Sequence, residues 1–248
     1  MIEIQAKEIS GEFPCPYLES KQARNEYFFA MELDHEEINF YLSQGWRKFG
    51  WYYFRPSCEG CSACIPLRIL TDDFKPSRSQ RKVINKNTQT KFKVCQLEFR
   101  EEIYELYKKH SDVRFKQPSK KQDFIESHFF PTCPALQAEY FVDGKLVGVG
   151  FLDHSSEALS SVYFIYDTDY SHLSLGVYGA IEEIELARRL KLKYYYLGYW
   201  IKENDSMSYK NKYYPHQLYD WQEKTWDIVQ NPKKVIVDKT TTSKQKDV

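Results

Sequence analysis

Leu159-Ser160-Ser161-Val162-Tyr163-Phe164-Ile165-Tyr166 is rich in β-branched and aromatic residues and is closed by Asp167, so it reads as a strand. Two further strands precede it. Ala138-Glu139-Tyr140-Phe141-Val142 and Leu146-Val147-Gly148-Val149-Gly150-Phe151-Leu152 flank Asp143-Gly144, a pair suited to a type I′ hairpin turn. After it, Ser174-Leu175-Gly176 opens a helix that carries Val177, Ile181, Ile184 and Ala187 on one face and runs to about Lys191. Tyr194-Tyr195-Tyr196-Leu197-Gly198-Tyr199-Trp200 is the next strand. Three strands, a helix and a further strand predict an α+β fold.

The chain upstream divides differently. Residues 1–26 read as irregular, with Pro14 and Pro16 stiffening the loop around Cys15. Asp34 is a good helix N-cap, Glu36 and Glu37 suit the first turn, and Gly45 suits the stop. Trp46 to Arg55 is an aromatic run of one or two short strands, and Leu67-Arg68-Ile69-Leu70 is another. Residues 98–130 read as two helices with Pro131 ending the second, and His110 and His128 are expected at the surface or as caps. The expected division is a smaller cysteine-bearing lobe over residues 1–73, a catalytic lobe over 74–230 and a disordered tail over 231–248.

Composition limits the function. With 42% hydrophobic and 17% aromatic residues, most of the chain should fold, and its 248 residues suffice for one large core or two lobes. Lys+Arg and Asp+Glu both number 35, which argues against a protein that coats nucleic acid indiscriminately. Charge is nonetheless uneven. From Phe74 to Leu97 there is no acidic residue, while Lys75, Arg78, Arg81, Lys82, Lys86, Lys91 and Lys93 are present. A phosphate backbone would suit that stripe, as would plain solvation of a surface helix. Lys116, Lys120 and Lys121 add a smaller basic patch. No basic segment followed by an apolar run opens the chain, and no apolar stretch reaches the ~20 residues of a membrane span, so a cytoplasmic protein is expected.

Cys58-Glu59-Gly60-Cys61-Ser62-Ala63-Cys64 sets three thiols at C-x2-C-x2-C spacing. With Cys15 as a fourth ligand they would suit zinc or an iron–sulfur cluster. Buried free thiols or a redox disulfide remain the other readings of that spacing. Cys95 and Cys133 stand outside it and read as plain thiols.

The strand and helix order of residues 138–200 resembles the GNAT acyltransferase core. That resemblance implies an acyl donor held where two strands part beside a helix N-terminus. The loop Tyr170 to Gly179 lacks the Arg/Gln-x-x-Gly-x-Gly/Ala pattern that binds the pyrophosphate of coenzyme A, so a different donor is expected. Separate motifs narrow the family. Cys15-Pro16-Tyr17-Leu18, Gln22-Ala23-Arg24, Gly45-Trp46-Arg47-Lys48-Phe49-Gly50, Arg55-Pro56-Ser57-Cys58, Cys64-Ile65-Pro66-Leu67-Arg68 and Pro76-Ser77-Arg78-Ser79-Gln80-Arg81 resemble the N-terminal half of the aminoacyl-tRNA–protein transferases of the N-end rule pathway. Leu159 to Phe164, Ser174-Leu175-Gly176, Tyr196-Leu197-Gly198-Tyr199 and Met207-Ser208-Tyr209-Lys210 resemble their C-terminal half. Short length and the three-cysteine knuckle point to the bacterial aspartate/glutamate leucyltransferase branch. The chain departs from the family at Lys202-Glu203-Asn204-Asp205, where Cys or Gly is frequent.

The resemblance implies transfer of leucine from charged tRNA to a protein's N-terminal Asp or Glu, with arginyl transfer, a coenzyme-A acyltransferase or a metal-knuckle RNA-binding protein as alternatives. Aminoacyl-tRNA is then the co-substrate and acidic N-termini are the partners. Asp167 is the candidate base; Arg24, Arg78, Arg81, Tyr209 and Lys210 are candidates for the acceptor; Lys82, Lys86 and Lys91 are candidates for tRNA.

Overall fold

The computed structural model describes residues 1–115, 120–130 and 132–231. The expected tail from 232 onward, the Pro131 helix stop and Lys116 of the smaller basic patch lie outside the described residues. In chain order the strands and helices are β1 (Ile2–Ile9), β2 (Phe13–Pro14), β3 (Gln22–Ala23), β4 (Asn25–Met31), α1 (His35–Ser43), β5 (Arg47–Phe49), β6 (Tyr52–Pro56), β7 (Ile65–Leu70), α2 (Arg78–Lys86), β8 (Lys91–Cys95), α3 (Glu101–Phe115), α4 (Lys121–His128), β9 (Ala135–Val142), β10 (Lys145–His154), β11 (Ala158–Tyr166), α5 (Leu175–Arg189), β12 (Tyr194–Trp200), α6 (Asp205–Ser208), β13 (His216–Asp220) and β14 (Thr225–Val229). Two 3₁₀ turns, Thr168–Leu173 and Tyr209–Lys212, precede α5 and follow α6.

The fold is a mixed α+β arrangement with a large sheet and an N-terminal lobe that contains cysteines. The large sheet has eight strands in the order β14-β13-β7-β12-β11-β10-β9-β8. Its neighbours run antiparallel except β11 and β12, which are parallel and joined through α5. A smaller sheet, β1-β4-β6-β5, stands on the N-terminal side. β7 comes from the segment expected in the smaller lobe, yet it lies between β13 and β12 in the large sheet. β1 likewise replaces the irregular opening: Ile2–Ile9 pairs antiparallel with β4.

Local signals explain the elements that place the site. Asp34 accepts from the amides of Glu36 and Glu37, while Glu37 reaches back to the Asp34 amide, a complete capping box for α1. Ser77 and Gln80 form the same box at α2. Asp143 and Gly144 both take positive φ, 50° and 80°, as a type I′ turn requires. Helix α5 buries Leu175, Tyr178, Ile181, Ile184 and Ala187 against the sheet, where they join Leu67, Ile69, Tyr140, Leu159 and Tyr195 in the main core. A second core, with Phe28, Tyr41, Trp46 and Tyr53, holds the N-terminal sheet to α1. The two histidines belong to the interior. His110 is buried and its Nδ1 meets the Tyr166 backbone, while His128 packs among Phe124, Phe151 and Tyr163, where burial pulls its pKa down to about 4.

Candidate active site

Parallel β11 and β12 are paired only over Ala158–Ser160 and Tyr194–Tyr196. Both strands continue beyond that register, β11 to Tyr166 and β12 to Trp200, so they part. A register shift between Tyr196 and Gly198 in the β12–β7 pairing sharpens the divergence. Gly198 at the shift has φ +84°, a left-handed conformation that glycine adopts without a Cβ penalty. The result is a notch between the strands, with the N-terminal turn of α5 following the far end of β11.

Two basic side chains reach the notch from different elements. Arg47, at the start of β5, crosses from the small sheet: Nη1 donates to Ser160 Oγ at 2.5 Å, and Nη2 donates to the Ser161 carbonyl. Lys210 enters from the 3₁₀ turn Tyr209–Lys212. A Cβ built on Gly198 would lie 3.3 Å from Lys210 Nζ and 3.8 Å from Arg47 Nη2. Both charges thus border the one space that the missing side chain leaves. Burial, followed by repulsion from Arg47, lowers the Lys210 pKa to about 7, and the nearby Cys64 thiol opposes that only weakly. Among the described residues neither cation has a carboxylate within ion-pair distance.

Other contacts hold this frame. Tyr199 Oη donates to the Gly45 carbonyl at 3.0 Å, Trp200 Nε1 to the Ser208 carbonyl at 3.1 Å, and Asn204 Nδ2 to the Tyr17 carbonyl at 2.8 Å. Behind β11, Glu183 of α5 is fully buried. It accepts from Tyr195 Oη at 2.5 Å, faces Tyr140 and Ser161, and leaves Oε1 without a partner. Burial raises its pKa to about 8, so it is largely a neutral acid at pH 7.

The residues singled out from the sequence are scattered. Lys210 is in the notch, and Tyr209 packs beside it against the main core. Asp167 is elsewhere: it follows β11, roughly 20 Å along the strand from Ser161 at ~3.3 Å per residue. There it binds Lys145 Nζ at 2.8 Å, pairs with Lys109 and caps the Asp169 amide at 3.1 Å. Burial alone would raise its pKa, but the two ammonium groups outweigh that and lower it. A carboxylate held this way is a weak base. Arg24 is held by Glu12 at 3.0 Å and Glu59 at 2.9 Å beside a cleft of about 230 Å³. Arg78 and Arg81 are exposed on the first turn of α2, and Arg81 donates to the Pro76 carbonyl at 2.7 Å.

Helix α2 does carry a basic face. Arg78, Lys82 and Lys86 recur every four residues and are exposed, and Lys91 follows on β8. Gln80 donates to the Lys212 carbonyl at 3.5 Å, and Asn87 to the Leu173 carbonyl at 2.8 Å. The helix therefore bridges the turn that carries Lys210 and the turn that opens α5.

The cysteine expectation is corrected. Among the described residues no group of three or more His, Cys, Asp or Glu side chains could hold a metal ion, so neither zinc nor an iron–sulfur cluster is assigned to Cys15, Cys58, Cys61 and Cys64. All six cysteines are free thiols. Cys58 Sγ lies against the Arg24 backbone, 3.5 Å from the amide and 3.6 Å from the carbonyl. Burial, with the neighbouring sulfurs Cys15, Cys58 and Cys61 behind it, pushes Cys64 up to about 12.

Arg47, Gly198, Ser160, Ser161 and Glu183 were not anticipated as site residues. Arg47, Ser160, Ser161 and Gly198 lie within stretches that carry the family resemblance, but locally Arg47 is only a charge within an aromatic run and Gly198 a glycine within a strand.

Comparison with known proteins covers both halves of the chain. The family model "Arginine-tRNA-protein transferase, N terminus" matches residues 13–82, and "Arginine-tRNA-protein transferase, C terminus" matches residues 101–220. An aspartate/glutamate leucyltransferase of Campylobacter jejuni is 36% identical over 211 residues, which span 82% of this chain and 88% of that protein. The protein of the same name from Helicobacter hepaticus is 34% identical over 214 residues, spanning 82% and 88%. Among solved structures, FemX aligns at TM-score 0.49 and 10% identity, over 71% of this chain and 62% of that one.

Proposed function

This chain belongs to the arginine-tRNA–protein transferase family of aminoacyltransferases, and from that premise we propose that it moves leucine from charged tRNA to the N-terminal Asp or Glu of a protein, marking it for N-end rule degradation. The observation that carries this reading is the notch between β11 and β12, bordered by two cations and approached along the basic face of α2. Leucine rather than arginine is the donor because the similar proteins that span most of this chain are leucyltransferases. The core is GNAT-like, a reading supported by the strand–strand–strand–helix–strand order of β9 to β12 and by the parting of its parallel pair. The place of action is the cytoplasm, where charged tRNA is found. No helix among the described residues is long and apolar enough to cross a membrane.

The chemistry needs little beyond placement. An aminoacyl ester is already activated. The acceptor amine has a pKa of about 7.7–8.0, so a useful fraction is neutral at pH 7 to 8. It attacks the ester carbonyl, the carbon–oxygen bond to the tRNA ribose breaks, and the ribose hydroxyl leaves with a proton. Holding the two ends together supplies most of the rate. Backbone amides of β11 beyond Ser160, where β12 has diverged, are the donors at hand for the oxyanion. Lys82, Lys86 and Lys91 grip tRNA phosphates outside the notch.

The test incubates purified protein with radiolabelled Leu-tRNA or Arg-tRNA and peptides beginning with Asp, Glu or Ala. Label should pass from Leu-tRNA to the Asp and Glu peptides. Preferential use of Arg-tRNA, or no transfer from either, would refute the reading.

A further inference from the structure

We propose that Arg47 and Lys210, which both border the position beside Gly198, form the subsite that receives the side-chain carboxylate of the acceptor's first residue. The inference rests on the proposed transfer reaction and names the part of the site that reads its acidic substrate.

Three observations converge on it. First, both cations border one point: a Cβ on Gly198 would stand 3.3 Å from Lys210 Nζ and 3.8 Å from Arg47 Nη2. Second, among the described residues no acid pairs with either. The titratable groups that face Lys210 are Arg47 on β5 and the Cys64 thiol before β7, and the phenols of Tyr17 and Tyr199 stand close to Arg47 and Cys64. Elsewhere in this fold a covered cation is matched, as Lys48 is by Asp153 at 2.9 Å. Cations drawn out of water with no counter-charge are costly, and a site that holds them open is complementary to an anion. Third, the Arg47 guanidinium is fixed by Ser160 and the Ser161 carbonyl, so it is already oriented before a ligand arrives.

The notch favours a carboxylate over a tRNA phosphate. A planar two-oxygen group on a short stem matches the fixed guanidinium of Arg47, and the glycine at 198 leaves clear the approach to Lys210 Nζ that a side chain there would crowd at 3.3 Å. A phosphodiester is bulkier and continues in both directions. The exposed lysines of α2 offer phosphates a more open surface. Placement also serves the reaction. The α-amine of an N-terminal Asp is only a few bonds from its own carboxylate, so anchoring the carboxylate beside Gly198 sets the nucleophile next to the parted edge of β11.

The experiment compares the wild type with Lys210→Met, Lys210→Arg and Arg47→Gln, each first checked for an unchanged thermal melt. Leucine transfer to otherwise identical peptides beginning with Asp or Asn gives kcat and KM. Equilibrium binding of the same peptides, without tRNA, gives Kd. The wild type should prefer Asp by about a hundredfold or more. Lys210→Met should erase most of that preference by raising KM and Kd for the Asp peptide toward those of the Asn peptide, and Lys210→Arg should restore part of it. Should Arg47→Gln fail to fold, the two Lys210 variants carry the test. An Asp-to-Asn ratio within twofold of wild type in folded Lys210→Met overturns the subsite. So does a loss confined to Leu-tRNA affinity, which would assign the cations to the nucleic acid. If the wild type transfers no leucine, the reaction reading fails, and the binding arm still decides whether this pair selects an acidic N-terminus.

Discussion

Replacing Glu183 with Gln isolates a buried neutral acid. Glu183 is fully enclosed among α5, β11 and β12, and its pKa rises from the ordinary value near 4.5 to about 8, burial being the largest cause. Below pH 4.5 folded and unfolded chains both carry the proton, and the group does not affect stability. Between about 4.5 and 8 the unfolded chain releases the proton while the folded chain keeps it. Stability must then fall as pH rises, by about 1.4 kcal/mol per unit from this group, and the fall ends above about 8. By pH 7.5 the accumulated loss is on the order of 4 kcal/mol, a ceiling because the interior can relax. Gln has the same shape as the protonated acid, can still accept from Tyr195 Oη, and does not ionise. Urea denaturation of wild type and Glu183→Gln at intervals from pH 4.5 to 8.5 is the assay. The curves should nearly coincide at pH 4.5 and diverge steadily, with the variant several kcal/mol more stable at pH 8. Parallel curves across that range would refute the neutral-acid reading.

Two further outcomes follow from named contacts. Reversing Lys82, Lys86 and Lys91 to Glu together should weaken Leu-tRNA binding and flatten its dependence on salt, with an unchanged melt; unaltered binding in a filter assay would reduce the α2 face to a solvated surface. Gly179→Ala places a methyl 2.3 Å from Phe164 Cε2 at the α5–sheet contact, so it should cost about 1–3 kcal/mol in denaturation, and an unchanged midpoint would contradict the packing.

How much could be read in advance depended on sequence separation. The Asp143-Gly144 turn, the Asp34 cap and the apolar stripe of α5 are governed by neighbours within a few positions, and the structure has each of them where local chemistry put it. Long-range placement was a different matter. β7 reads correctly as a strand, but periodicity carries no strand order, and it takes the pairing with β12 and β13 to set it in the large sheet. Glu183 sits beside Ile184 in the acidic run Glu182-Glu183-Ile184-Glu185, and no local signal singles it out; only the closeness of Tyr195 and Ser161 reveals a buried acid.

The cysteines and the cation pair show the same limit from opposite sides. Regular spacing in Cys58, Cys61 and Cys64 fixes how many residues separate the sulfurs, but ligation depends on where each Sγ points and whether it is ionised. In the fold the Cys58 sulfur turns to the Arg24 backbone, and among the described residues the strong local pattern yields no metal-binding group. Arg47 and Lys210 each lie in a stretch that carries the family resemblance, and Lys210 is a candidate for the acceptor on sequence alone, but nothing local pairs the two. They are 163 positions apart in the numbering: one is a charge in an aromatic strand, the other a lysine in a tyrosine-rich turn. What joins them is the parting of β11 from β12 after three paired residues, with Gly198 leaving the space between. A ligand site assembled from β5, β11, β12 and a 3₁₀ turn is a property of topology, and its chemistry becomes legible only when the unpaired charges are seen to border one position.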